Sequence, residues 1–229
     1  MSLTRRDFMI GAVAAGAVAA SGWDRAEAAS TGLTAKQQAA YFGPMIADNG
    51  VQFRSTNFKK INPRWRRQFV PYTSTEPQGT VVIDAGNHFL YVIFENQTAL
   101  RYGVGVGRDG FRWYGRARID RKQLWPRWTP PPEMRARHPE LPEFIVGGPT
   151  NPLGPRAMYL FRNGRDLGYR VHGTLEPWSI GTNASSGCIR MFNEDVIDLY
   201  QRCPIGTRVL VLRALGAPVI DESAPVDSQ

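Results

Sequence analysis

The chain holds 229 residues, with 28 Lys and Arg against 20 Asp and Glu for a net charge of +8, and two cysteines. That length fits one domain plus tails, and so few cysteines exclude a disulfide-stapled scaffold. A basic surface favours polyanionic partners, or for any single residue simply solubility.

Residues 1–28 read as an export signal. Arg5-Arg6 stands ahead of a small apolar run ending at Ala20, and Ala26-Glu27-Ala28 supplies an A-x-A cleavage site. Paired arginines point to the twin-arginine route with cleavage after Ala28, and hence to the periplasm. The alternative is a retained anchor, but the run is about 12 residues against the ~20 that span a bilayer. Cleavage would remove Arg5, Arg6 and Arg25 together with Asp7, Asp24 and Glu27, so the net charge of +8 survives. In an exported chain the fitting polyanions are envelope polymers rather than nucleic acid. A protein folded before export would keep Cys188 and Cys203 unbridged.

Residues 29–78 form a basic lead-in with a short helix within Thr34–Tyr41. The stretches Phe58-Lys59-Lys60 and Arg64-Trp65-Arg66-Arg67 read as a solvated tail, or alternatively as a contact for an anionic polymer. Strands begin at Thr80–Asp84, turn through Ala85-Gly86-Asn87, and continue at His88–Phe94 and Ala99–Val106. Further strands are predicted at Phe111–Ile119, Met158–Phe161, Gly168–His172 and Arg208–Leu212. One strong helix follows Asn193, its expected N-cap, with Glu194 and Asp195 suited to the positive end of the helix dipole. Pro204 and Gly206 stop it. The sum is a mainly β domain, a mixed sandwich or open barrel with one main helix.

Prolines 126, 130, 131, 132, 139 and 142 stiffen a loop over 124–142, a length typical of lids and binding elements. Trp113, Trp125, Trp128 and Trp178 offer stacking faces for a substrate or, individually, core packing. Gly105-Val106-Gly107-Arg108-Asp109-Gly110 matches a dinucleotide fingerprint, yet no apolar helical stripe follows it. Those glycines read as tight turns at strand ends.

The chemistry concentrates in Ser185-Ser186-Gly187-Cys188-Ile189-Arg190. A nucleophilic thiol needs a base, a group to orient that base, and donors for the oxyanion. Of three histidines, His88 starts a strand and His138 lies among arginines in the proline-rich loop. His172 ends a strand before Gly173-Thr174, and the thiol follows across a glycine-containing loop, which makes it the candidate base. Gly187 leaves its own N–H and that of Cys188 open to a bound carbonyl oxygen. Arg190 reads either as a cation for a substrate carboxylate or as half of a structural ion pair. Ser185 and Ser186 either donate hydrogen bonds to a substrate or shape the turn. No ligand cluster with metal spacing is present.

His172-Gly173-Thr174, Pro177, Ile180-Gly181 and Ser185-Ser186-Gly187-Cys188-Ile189-Arg190-Met191 together closely resemble the active-site signature of L,D-transpeptidases of the YkuD type. Asn193-Glu194-Asp195-Val196 and Gly206-Thr207-Arg208-Val209 are similar to that family's closing helix and strand. The resemblance covers 79–214, leaving 215–229 as a tail. Ser186 departs from it, standing where many members carry a second histidine. The resemblance implies a β-sandwich fold and a cysteine acyl transfer on peptidoglycan stem peptides, with no cofactor and no metal. Cys188 would be the nucleophile, His172 the proton carrier, and the Gly173 carbonyl the orienting group. Trp178, Ser185, Ser186 and Arg190 would face substrate. The acceptor it implies is a second stem or a protein's amine, such as an outer-membrane protein's, with water as the alternative that would make it a carboxypeptidase or endopeptidase; a monomer is expected. A non-catalytic wall-binding module is the reading from a different class.

Overall fold

A computed structural model describes residues 32–107, 113–185 and 187–212. Residues 1–28, where an export signal is expected, the tail from 215 and Ser186 lie outside the described residues, as do 108–110 of the glycine motif. Residues up to Gln37 form a unit of their own. Within it Thr34 and Gln37 cap each other, Gln37 Oε1 accepting the Thr34 N–H at 2.8 Å and Thr34 Oγ1 the Gln37 N–H at 3.3 Å. They open a short helix, α1 (Ala35–Ala39).

From Gln38 onward the chain is mainly β. A hairpin of β1 (Phe42–Asp48) and β2 (Val51–Thr56) precedes β3 (Gln68–Pro71), β4 (Val81–Asp84), β5 (Phe89–Ile93) and β6 (Thr98–Gly103). Then come β7 (Val106–Gly107), β8 (Gly115–Leu124), a short α2 (Pro132–Arg137), β9 (Arg156–Arg162) and β10 (Arg165–His172). The series closes with β11 (Asn183–Ser185), β12 (Ile189–Arg190), α3 (Asn193–Arg202) and β13 (Thr207–Val211). Nine strands make one open, mixed sheet in the order β12-β10-β9-β8-β13-β4-β5-β6-β3, and β7 with β11 makes a separate small ladder. The expected mainly β architecture is present, its sheet not closed, with one substantial helix among the described residues.

Packing explains the strand sequences. Val81, Ile83, Leu90, Leu100 and Tyr102 meet Met158, Leu160, Val171 and the Val196 and Leu199 face of α3 in one cluster. Val82, Ile93 and Ala99 turn to the opposite face, under Tyr72, Tyr91 and Leu210. Burial on both faces requires an unbroken apolar run rather than alternation, as Val81-Val82-Ile83 shows. Each such side chain contributes roughly 1.5–3 kcal/mol when fully buried. Cys203 is buried in the same core, and no disulfide joins it to Cys188.

The basic lead-in differs from the solvated tail expected of it. Its β3 pairs with β6 at the edge of the main sheet, from Gln68↔Arg101 to Pro71↔Thr98. Ile61 is buried with Ile180 and Phe192, and Phe58 meets Phe192 edge-on with ring centres 5.3 Å apart. The charges between these anchors have specific partners. Arg67 reaches Asp198 at 2.8 Å, and both Arg66 Nε and Nη2 donate to the Ile61 carbonyl. Arg64 lies over the Trp65 ring. The aromatic residues between the basic ones tie the segment down.

Helix α3 also departs from expectation at its start. Phe192 holds the N-cap position without a side-chain bond, so Asn193 is the first helical residue and not the cap. Glu194 in the first turn suits the dipole, and its carboxylate also accepts the Thr56 N–H at 2.6 Å and the Thr56 hydroxyl at 2.8 Å. The helix therefore carries the β1–β2 hairpin on its N-terminal turn.

Candidate active site

The site forms where two distant segments run side by side. β12 lies parallel to β10 with Val171 opposite Ile189 and His172 opposite Arg190. Cys188 immediately precedes β12, so continuing that register places it beside Arg170, one diagonal step from His172. Residues Arg170 and His172 share one face of β10, because side chains alternate along a strand. The thiol, the imidazole and two guanidinium groups thus converge from a strand pair that no short-range pattern in the sequence predicts.

His172 is 5% exposed. Its Nδ1 lies 2.6 Å from the Gly173 carbonyl oxygen. A carbonyl can only accept, so Nδ1 carries the proton and Nε2 keeps its lone pair. Burial first, then the charge of Arg190, pull the imidazole pKa down to about 3; the Gly173 carbonyl pulls it up, and Arg170 adds a smaller downward pull. It is neutral at neutral pH. Burial likewise pushes the Cys188 thiol up, while Arg170 and Arg190 oppose the rise. The resting site is therefore a neutral thiol and a neutral imidazole, suited to proton removal as the nucleophile attacks.

The loop carrying the thiol is splinted by residues 104–107. The Val104 carbonyl accepts the Gly181 N–H at 3.0 Å, Gly105 and Arg190 exchange two backbone bonds at 2.9 and 2.8 Å, and the Val106 N–H donates to Thr182 at 3.0 Å. β7 then pairs with β11. Two glycines make this close packing feasible. A Cβ at Gly105 would stand 2.7 Å from the Ser179 carbonyl, and one at Gly181 (φ +86°) 2.4 Å from the Trp65 ring. Gly105 and Gly107 belong to this splint, Gly107 within β7 opposite Ser185. Gly187 has φ +138°, a backbone state favouring glycine, directly before Cys188.

The other predicted residues fall as follows. Arg190 pairs with Glu176, Nη1 to Oε2 at 2.5 Å, so a structural ion pair is present. Ser185 lies in β11, opposite Gly107. Trp178 meets Tyr41 and Phe42 in edge-to-face contacts with ring centres 5.9 and 6.1 Å apart. Trp113 stacks on Tyr169 at 6.0 Å, and Trp125 donates its indole N–H to Asp48 at 2.9 Å. Trp128 bridges by its backbone to Ile145 within the 124–142 region and its flank. His88 contacts Asn183, Nε2 to Oδ1 at 2.8 Å, and His138 contacts Glu140 at 3.1 Å. Neither is the histidine that the strand pairing brings to Cys188. Among the described residues no group of three or more His, Cys, Asp or Glu could hold a metal ion.

Sequence reasoning missed Arg170, Glu176 and Asn193, whose Oδ1 accepts the Thr174 N–H at 2.9 Å two residues after His172. Arg170 was readable as the residue two before His172, hence on the same strand face. Glu176 carried no signal. Asn193 did, but as a helix cap.

Residues 78–211 match the family description YkuD, L,D-transpeptidase catalytic domain. The probable L,D-transpeptidase ErfK/SrfK of Escherichia coli K12 is 34% identical over 146 residues, which cover 60% of this chain and 45% of that protein. This chain therefore spans less than half of the length of that relative. The putative L,D-transpeptidase YqjB of Bacillus subtilis 168 is 31% identical over 162 residues, covering 69% of this chain and 84% of that protein. A solved structure from Brucella melitensis, described as a probable carnitine operon oxidoreductase, is 48% identical and covers 68% of this chain and 99% of that one, with a TM-score of 0.46.

Proposed function

Because the chain belongs to the L,D-transpeptidase family, we propose that it transfers acyl groups between peptidoglycan stem peptides through a thioester on Cys188. The observation that supports this reading is the parallel pairing of β10 with β12, whose register puts Cys188 opposite Arg170 and one diagonal step from the buried His172, itself held through Nδ1 by Gly173.

The donor is a tetrapeptide stem ending in D-alanine. The Cys188 sulfur attacks the carbonyl that precedes this D-alanine, and His172 Nε2 takes the thiol proton. The backbone N–H groups of Gly187 and Cys188 hold the oxyanion. Collapse breaks the C–N bond, His172 returns its proton to the departing amine, and D-alanine leaves. The side-chain amine of an acceptor stem, or of an outer-membrane protein, then attacks the thioester. His172 takes the amine proton and returns it to the sulfur, restoring the thiol. The energy of the broken amide passes into the thioester, so no nucleotide is consumed. This chemistry belongs to cell-wall biogenesis in the periplasm, where the twin-arginine signal would deliver the chain.

Incubation with tetrapeptide-bearing wall fragments, read by mass, tests the proposal. Cross-linked dimers with free D-alanine support transfer. Shortened monomers alone would make water the acceptor and the chain a carboxypeptidase. Products that persist in Cys188→Ala would sink the thioester.

A further inference from the structure

One peptide group links the imidazole to the first residue of α3. The Gly173 carbonyl accepts from His172 Nδ1 at 2.6 Å, and the Thr174 N–H donates to Asn193 Oδ1 at 2.9 Å. That carbonyl and that N–H are the two ends of a single planar unit, pointing in opposite directions. Rotating one end rotates the other. Donation from the N–H also polarises the carbonyl and makes it a stronger acceptor. We propose that Asn193 is a positioning residue for the catalytic base, setting the orientation and basicity of His172 through the Gly173–Thr174 peptide.

The space around the amide supports this role. A Cβ at Gly173 would lie 2.3 Å from Asn193 Oδ1, and one at Gly154 (φ +63°) 2.5 Å from the same atom. The amide is thus seated against two backbones that no side chain separates from it. The helix cap is Phe192 and lacks a side-chain bond, so the asparagine is committed to the strand instead of to its own helix. Its base is fixed, since Glu194 holds Thr56 and Asp198 holds Arg67. The strand end is fixed as well, by Met191 N–H to His172 O at 2.9 Å and Gly173 N–H to Arg156 O at 3.3 Å. His172 has a neutral carbonyl on its Nδ1 side, so the carbonyl's polarisation and aim govern which tautomer presents Nε2 to Cys188.

The charges acting on His172 are Arg170 of its own strand and Arg190 of β12, the latter paired with Glu176. On β9, Arg156 is taken up by Asp48, and on α3 Glu194 is bonded to Thr56 while Asp195 lies 3.7 Å from Arg67.

This inference rests on the transpeptidase reading above, and the test separates the two. In the full chain, the rate of Cys188 acylation by a tetrapeptide donor is followed against pH for wild type, Asn193→Asp, Asn193→Ala and Cys188→Ala. Asn193→Asp keeps the acceptor and adds a negative charge, which favours the imidazolium. Its acidic limb should move to higher pH with kcat largely kept. Asn193→Ala frees the peptide plane and should lower kcat at least tenfold, about the cost of a slightly misplaced catalytic group, with little change in KM. Variants that match wild type in kcat and in limb, or that change only thermal stability, overturn the inference. Should Asn193→Ala fail to fold, the isosteric Asn193→Asp decides by its limb alone. Loss of activity in Cys188→Ala beside unchanged Asn193 variants defeats this inference alone. Activity surviving in Cys188→Ala defeats the thioester and this inference with it.

Discussion

Asp48 and Arg156, separated by 108 positions, form a two-pronged ion pair with both N···O distances 2.7 Å. Arg156 is 3% exposed on β9, and the pair fastens the β1–β2 hairpin to the strand beside the one that carries His172. The Arg156 hydrogen bond holds the Asp48 carboxyl below its ordinary range. Removing one partner leaves a buried charge uncompensated, which costs about 3–5 kcal/mol. Asp48→Ala should lose stability on that scale in urea unfolding, and a loss below about 1 kcal/mol would place the pair among inconsequential surface bridges.

Glu176 and Arg170 should set the reactivity of Cys188 in opposite directions. Both Arg170 and Arg190 pull the thiol pKa down against the upward push of burial, and Glu176 offsets the charge of Arg190. Glu176→Gln should move the pH midpoint of Cys188 alkylation by iodoacetamide downward, and Arg170→Ala should move it upward. Shifts of the same sign in both variants would contradict this arrangement.

Asp195 is a buried carboxyl whose Oδ2 has no hydrogen-bond partner. Burial raises its pKa from 3.8 to about 7, partly offset by Arg67. A raised value means that the folded chain binds the proton more tightly than the unfolded one. The contribution is fully present below pH 4 and is lost as pH rises toward 7. His172 works in the reverse sense, its stability lost as pH falls from 6.5 toward 3. Asp195→Asn removes the first effect alone. The Tm of the variant minus that of wild type should therefore grow from pH 4 to pH 8, and a difference independent of pH would refute the assignment.

Two glycines with similar backbone angles should respond differently to alanine. A Cβ added at Gly168 (φ +77°) would meet nothing within 4 Å, whereas at Gly181 (φ +86°) the Trp65 ring stands at 2.4 Å. Gly168→Ala should cost about 1 kcal/mol from backbone strain alone. Gly181→Ala adds the displacement of Trp65, for a total of roughly 2–4 kcal/mol, and it disturbs the loop that leads to Cys188. Equal losses in denaturant unfolding would mean that Trp65 yields freely.

Much of the site was legible because its cues are local. Short apolar, β-branched runs mark β4 and β5, and Cys188 behind a glycine and His172 at a strand end are short-range features. The lead-in was not legible, because its order depends on partners such as Asp198 for Arg67 that lie far along the chain. Asn193 was misread for a subtler reason. Asparagine at a helix start is the usual sign of a cap, and the same residue serves here to accept from a different strand. Only the packing of Gly154 and Gly173 against it distinguishes the two roles.

The place of β3 has a consequence for where the protein can be cut. The family match begins at residue 78, but β3 ends at Pro71 and covers the outer side of β6, and Trp65 underlies Gly181. A fragment starting at residue 78 would leave the N–H and C=O groups of β6 open to a second copy, since unpaired strand edges are templates for self-association. It would also take the floor from under the loop that holds the thiol. Such a fragment should scatter light as oligomers while the full chain does not. The segment that heredity marks as the enzyme is shorter than the segment that folds.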